Sequence, residues 1–144
     1  MTEVGVDLTH ASADLIDAFN EADWERFRGV LSPDIVYTET GTGRRVEGAD
    51  AYVTLCQGWK VALPDVRGTI RGAIATEDQV AQEILWEGTH TGPMETPGGT
   101  LPPSGAQIGV EASLWLRFHG DKAREVHHYL DVLSLLQQIG AIPR

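Results

Sequence analysis

Cysteine is almost absent: Cys56 stands alone, which excludes an intrachain disulfide and any cysteine-built metal site. Basic residues are scarce too, 11 Lys and Arg against 21 Asp and Glu, for a formal net charge of −10. A surface of that sign repels a phosphate backbone, and no Lys/Arg cluster offsets it. Nucleic acid is therefore not expected as a partner, and anionic membrane surfaces are disfavoured for the same reason. No apolar run approaches the roughly 20 residues of a spanning helix. Met1 to Asp7 has neither the basic start nor the apolar stretch of a signal peptide, so a cytoplasmic location is expected. A Gly-rich phosphate loop, a Gly-x-Ser-x-Gly elbow and a dinucleotide fingerprint are all missing. Nothing in the chain calls for a cofactor, and no metal is expected.

What is present fits one ordinary folded domain over residues 1–144. Hydrophobic residues make up 42% and charged residues 22%, a composition that argues against disorder and is enough for one core. Ala11, Leu15, Ala18 and Phe19 form an amphipathic stripe that predicts a helix over Ala11 to Asn20. Asp23 reads as the N-cap of a second helix carrying Trp24, Phe27 and Leu31, stopped by Pro33. Ile35 to Glu39 is a short strand, followed by a Gly41-Thr42-Gly43 turn. Tyr52, Leu55, Cys56, Trp59 and Leu63 share one face of a third helix, Ala49 to Leu63, which Pro64 ends.

Beyond Asp65 the period changes to two. Val66, Ile70 and Ile74 mark a half-exposed strand, and Gln79 to His90 a second. A Gly- and Pro-rich loop, Gly92 to Gly105, comes next; at more than about 12 residues it reads as a candidate lid. Ile108 to Phe118 is apolar at every even position. A Gly120-Asp121-Lys122 turn leads to a last strand, Ala123 to Leu130, and Asp131 caps a terminal helix ending at Gly140. Helices followed by strands on short turns predict an α+β fold with an antiparallel sheet. A three-residue loop in the final hairpin pairs even positions with even positions. It sets Leu114 opposite His128 and puts Val126, Leu130 and Val132 on the apolar face. His128 then points into an otherwise apolar wall.

Trp86-Glu87-Gly88-Thr89-His90-Thr91-Gly92-Pro93, the Leu101-Pro102-Pro103-Ser104-Gly105 loop, and His128-Tyr129-Leu130-Asp131 with Leu135-Leu136-Gln137-Gln138-Ile139-Gly140 resemble the SnoaL-like polyketide cyclase family, whose members share the nuclear-transport-factor-2-like fold. The resemblance begins with Ala18-Phe19-Asn20 and Ser32-Pro33-Asp34 and spans nearly the whole chain. It implies a curved antiparallel sheet wrapped around three helices as a cone with a deep pocket, commonly in a homodimer. The aldol-type members use a pocket Asp, a His and an Asn. By position these fall on His128, Leu114 and Tyr37, so all three differ here. Other members form ether rings, hydroxylate polyketides, or shape polyenes for intramolecular cycloaddition, an indane-forming cyclase among them.

The candidate catalytic residues are His128, Asp131 and Tyr37. A neutral imidazole in an apolar pocket can shuttle a proton; the plainer alternative is a core histidine bonded to backbone. Asp131 could orient His128 or act as a base, and is equally an N-cap. Tyr37 could offer a phenol to an oxyanion, or be an amphipathic core residue. Glu39 shares Tyr37's face if that strand is regular, but a solvated strand-end carboxylate is the expectation. Trp59, Leu63, Trp86, His90, Ala112 and Leu114 are the candidate substrate-binding wall. His127 and His128 point to opposite faces and cannot chelate together. Trp115, outward among charged neighbours, suggests a dimer interface. The expectation is a cofactor-free cyclase folding a small apolar polyketide-like substrate in antibiotic-type biosynthesis, by [4+2] cycloaddition or with acid/base help. A non-catalytic binding module and an Asp-Arg-Asp epoxide hydrolase are the alternatives. Arg67 and Arg71, on what reads as the outward face, count against the hydrolase.

Overall fold

The computed structural model describes residues 7–143. Its elements run α1 (Leu8–Glu21), α2 (Trp24–Gly29), β1 (Leu31–Thr40), β2 (Arg44–Glu47), α3 (Ala49–Ala62), β3 (Arg67–Ala75), β4 (Gln79–Thr89), β5 (Met94–Thr96), β6 (Gly99–Leu101), β7 (Gln107–His119), β8 (Lys122–Leu130) and α4 (Val132–Gln138). Three aspartates open three of the helices. Asp7, Asp23 and Asp131 accept the backbone N–H groups of His10, Arg26 and Ser134, satisfying donors that a helix start leaves free. The first helix therefore begins a turn earlier than its apolar stripe suggests, and Leu8 is buried.

Leu31 and Pro33 belong to β1, not to the second helix, which ends at Gly29. Pro33 lies where the pairing of β1 with β8 shifts register, between Leu31 and Val36; a residue without an N–H is tolerated at such an irregularity. Strand β2 was not anticipated. It pairs with β1 across the Gly41–Gly43 turn.

Six strands form one sheet in the order β2-β1-β8-β7-β4-β3. The expected wholly antiparallel sheet needs one correction, because β1 and β8 run parallel. A parallel pair needs a long crossover, and everything from β2 to β7 supplies it. Register irregularities in β1–β8, β3–β4 and β7–β8 mark where strands bend, and the curved sheet wraps the helices. Among the described residues there are four helices, against the three that the resemblance implies, α4 packing on β7.

The final hairpin reaches the expected register by a different route. His119 pairs with Lys122 across two residues, Gly120 and Asp121, and an irregularity between Arg117 and Phe118 then restores even-to-even pairing. Leu114 duly faces His128. A tight turn plus one extra residue has the same parity as a three-residue loop.

Two amide side chains pin helices to the sheet. Asn20, at the end of α1, accepts the Gly68 N–H and donates to its carbonyl, at 2.8 and 2.9 Å. Gln138, at the end of α4, does the same to Gly109, at 2.8 and 2.9 Å. No helix among the described residues is long and apolar enough to cross a membrane.

Candidate active site

The inner face of the sheet, with α1, α3 and α4, encloses an apolar cavity of about 60 Å³. Leu15, Ile16 and Phe19 of α1, Leu55, Cys56 and Trp59 of α3, and Leu135 of α4 contribute to its lining. So do Leu63, Trp86, Leu114, Tyr37 and His128, all expected to be there. Cys56 is buried, which pushes its thiol pKa up and leaves it protonated and inert.

One polar chain crosses this wall. Trp86 Nε1 lies 3.2 Å from His128 Nε2, His128 Nδ1 lies 2.8 Å from the Tyr37 hydroxyl, and that hydroxyl lies 2.6 Å from Glu39 Oε2. The chemistry of the groups orders the protons. An indole N–H only donates, so Nε2 of His128 accepts and its proton sits on Nδ1. Nδ1–H donates to the Tyr37 oxygen, and the Tyr37 hydroxyl donates to Glu39. Glu39 Oε1 in turn accepts from the Thr42 hydroxyl at 2.7 Å and faces the Arg44 guanidinium at 3.9 Å.

Burial sets the protonation of this chain. It lowers the pKa of His128 to about 4, against a pull upward from Glu39, so the imidazole is neutral at neutral pH. Burial, then the nearby Glu39, holds the Tyr37 phenol well above its ordinary value. Tyr37 also stacks on Tyr52, ring centroids 4.5 Å apart. His128 is thus neither a solvated group nor a histidine bonded to backbone, because both ring nitrogens bond to side chains.

Glu39 was missed. It is fully buried, not a solvated strand end, because β1 is an interior strand and Thr42 and Arg44 in the following turn and strand fold back onto its carboxylate. A signal existed: Ile35, Tyr37 and Glu39 alternate onto one face, and all three are buried. Glu39 is also the direct neighbour of His128 across β1 and β8.

Three expected site residues lie elsewhere. Asp131 is exposed and spends its carboxylate on the Ser134 N–H, so it is a helix cap and does not reach His128. His90 is buried away from the cavity, its Nδ1 2.8 Å from the Ser104 hydroxyl, and serves to fasten the 90–105 segment. Ala112 is buried but does not line the cavity. The Gly92 to Gly105 segment is not structureless; it carries the β5–β6 hairpin, anchored by buried Met94 and by the Arg44 guanidinium on the Glu95 carbonyl at 3.0 Å. None of its residues lines the cavity. Arg44 also lies over the Trp59 ring, 5.9 Å from its centroid, and so links hairpin, cavity rim and Glu39. Trp86 owes its place to Gly68, where an added Cβ would stand 2.5 Å from the indole. No arginine or aspartate lines the cavity among the described residues.

Solved structures with the same architecture are numerous. AclR from Streptomyces galilaeus, a proposed hydroxylase, superposes with a TM-score of 0.80 at 28% identity, covering 96% of this chain and 83% of that one. IdmH from Streptomyces antibioticus, a proposed polyketide cyclase, gives 0.79 at 25% identity, over 94% of this chain and 99% of that one. A proposed SnoaL-like polyketide cyclase from Jannaschia sp. CCS1 gives 0.85 at 18% identity, over 99% and 98%, a likeness of fold alone. Among curated proteins none matches the chain by sequence. The family model for SnoaL-like polyketide cyclase matches residues 9–139. With the expected cone of sheet and helices around an apolar cavity, that match is decisive: the chain belongs to the SnoaL-like polyketide cyclase family.

Proposed function

We propose that the protein is a cyclase of polyketide or related natural-product biosynthesis that folds a flexible, largely apolar substrate into a ring-forming conformer. The observation that carries this reading is the cavity wall itself, which is mostly apolar and carries an internally paired chain centred on a neutral His128. Such a wall suits a reaction that needs shape more than charge. Holding reacting ends together supplies several kcal/mol, so an intramolecular [4+2] cycloaddition without cofactor is the favoured chemistry. Acid/base assistance would fall to His128 Nε2, with the developing positive charge compensated by Glu39 through Tyr37.

A void of about 60 Å³ is smaller than the roughly 150 Å³ that takes a benzene ring. Substrate entry therefore widens the site. Trp59 and Trp86, half-buried in the lining, are the wall elements we propose to move. The working form is a homodimer built on the outer sheet face, where Trp115, Tyr129 and Ile74 are 43, 48 and 75% exposed.

Deleting the gene in its host and comparing metabolites tests the reading. An uncyclised precursor should accumulate, and the purified chain should convert it with no added cofactor. An unchanged metabolite profile, with ligand binding but no turnover in vitro, would replace the enzyme by a non-catalytic binding module. Epoxide hydrolysis is disfavoured, since the arginine it needs does not line the cavity.

A further inference from the structure

Every donor in the polar chain is already spent inside the protein. Tyr37 donates to Glu39, His128 Nδ1 to Tyr37, and Trp86 to His128. A ligand group can join this chain only by entering one of its contacts. The Tyr37 and Thr42 hydroxyls donate at 2.6 and 2.7 Å to Glu39, which is fully buried and outside the lining, and the His128 to Tyr37 contact is also short, at 2.8 Å. The contact from Trp86 to His128 is the one most readily opened. It is the longest, at 3.2 Å, and both of its residues line the cavity.

The entering group must satisfy both ends. It has to accept from an indole N–H and donate to a bare imidazole nitrogen. A carbonyl or ether oxygen accepts but leaves Nε2 unpaired, and an ammonium donates but leaves the indole unpaired. Burying either partner unpaired is penalised. A hydroxyl or enol does both through one oxygen.

We propose that this cavity recognises a hydroxyl or enol group on an otherwise hydrocarbon ligand, bridging Trp86 Nε1 and His128 Nε2, with Glu39 acting through Tyr37 to hold Nε2 as an acceptor. The inference rests on the reading of this cavity as the substrate site. Glu39 is here a positioning residue: it touches no ligand and fixes which imidazole nitrogen carries the proton.

Phenol and toluene, nearly equal in shape, separate the two ideas. A purely apolar wall binds toluene and rejects phenol, whose hydroxyl would lose its water without a replacement. In calorimetric titrations of the full chain, phenol is expected to bind at least as tightly as toluene. In Trp86→Phe and His128→Phe the phenol-to-toluene preference should fall at least tenfold while toluene still binds. In ¹⁵N spectra of the wild type, phenol but not toluene should shift the Trp86 indole and the His128 Nε2 resonances, a readout that needs no variant. Toluene binding at least tenfold better than phenol, with those resonances unmoved by phenol, overturns the proposal and leaves the apolar cavity standing. If neither probe binds, the reading of the cavity as a ligand site falls, and the proposal with it.

Discussion

Glu39 and His128 are backbone neighbours across the parallel pair of β1 and β8, yet their side chains meet only through the phenol of Tyr37. The carboxylate is therefore one hydroxyl removed from the imidazole. It orients the ring and pulls its pKa upward, but burial dominates and keeps it neutral.

Acid should therefore weaken the fold through His128. Its pKa is about 4 when folded and about 6.5 when unfolded. Above the unfolded value both states are neutral and stability is complete. As pH falls from there toward 4 the unfolded chain takes up a proton that the folded one refuses, and stability drops by on the order of 3 kcal/mol. His90 is shifted down by burial too and adds in the same direction. The diagnostic is thus a difference: urea unfolding between neutral pH and pH 4.5 should show a shallower loss in His128→Phe than in the wild type. Equal losses would mean that the ring is not buried in its neutral form.

Turnover should be insensitive to pH across neutrality. With His128 neutral throughout and Tyr37 held protonated, the rate of ring formation should be flat between about pH 5 and 9. His128→Ala should keep kcat within about tenfold while KM rises. A bell-shaped profile with a limb near neutrality would assign His128 a proton-transfer role instead.

Gly68 holds open the floor beneath Trp86. Gly68→Ala places a methyl 2.5 Å from the indole, so the ring must tilt toward the cavity. Overpacking of this kind costs about 1–3 kcal/mol, readable as a lower melting temperature. Ligand affinity should fall with it, and a crystal structure should show the Trp86 to His128 contact lengthened.

Asp131→Ala tests the cap against the catalytic expectation. Loss of its bond to the Ser134 N–H should destabilise by about 1 kcal/mol and leave kcat unchanged. A large loss of kcat at wild-type stability would return Asp131 to the mechanism.

Charge on the outer sheet face should abolish the proposed dimer. Trp115→Glu combined with Ile74→Glu should sediment as a monomer under conditions where the wild type is dimeric. A wild type that is monomeric at micromolar concentration removes that assembly.

Much of this architecture is written in residue periodicity, and its gaps have physical causes. The even-numbered apolar run of β7 settles which face is inner, and with it the pairing of Leu114 with His128. The parallel partnership of β1 and β8 leaves no such trace, because strand direction across a long crossover is decided by closure of the whole sheet. Hairpin β5–β6 hides in a Gly/Pro-rich stretch because its strands span only three residues each. Asp131 is ambiguous by nature, since a carboxylate before a helix serves capping and catalysis equally well in sequence. Glu39 reads as solvated because a buried carboxylate is rare; its neutral and cationic partners, Thr42 and Arg44, lie beyond a turn whose fold-back no periodicity announces.

The pairing of Trp86, His128 and Tyr37 with one another in the wall has a thermodynamic consequence. A mostly apolar wall binds water weakly, so an incoming hydrocarbon displaces little ordered solvent from it. Association should then draw on dispersion and register as heat evolved rather than entropy gained, even though the ligand is greasy.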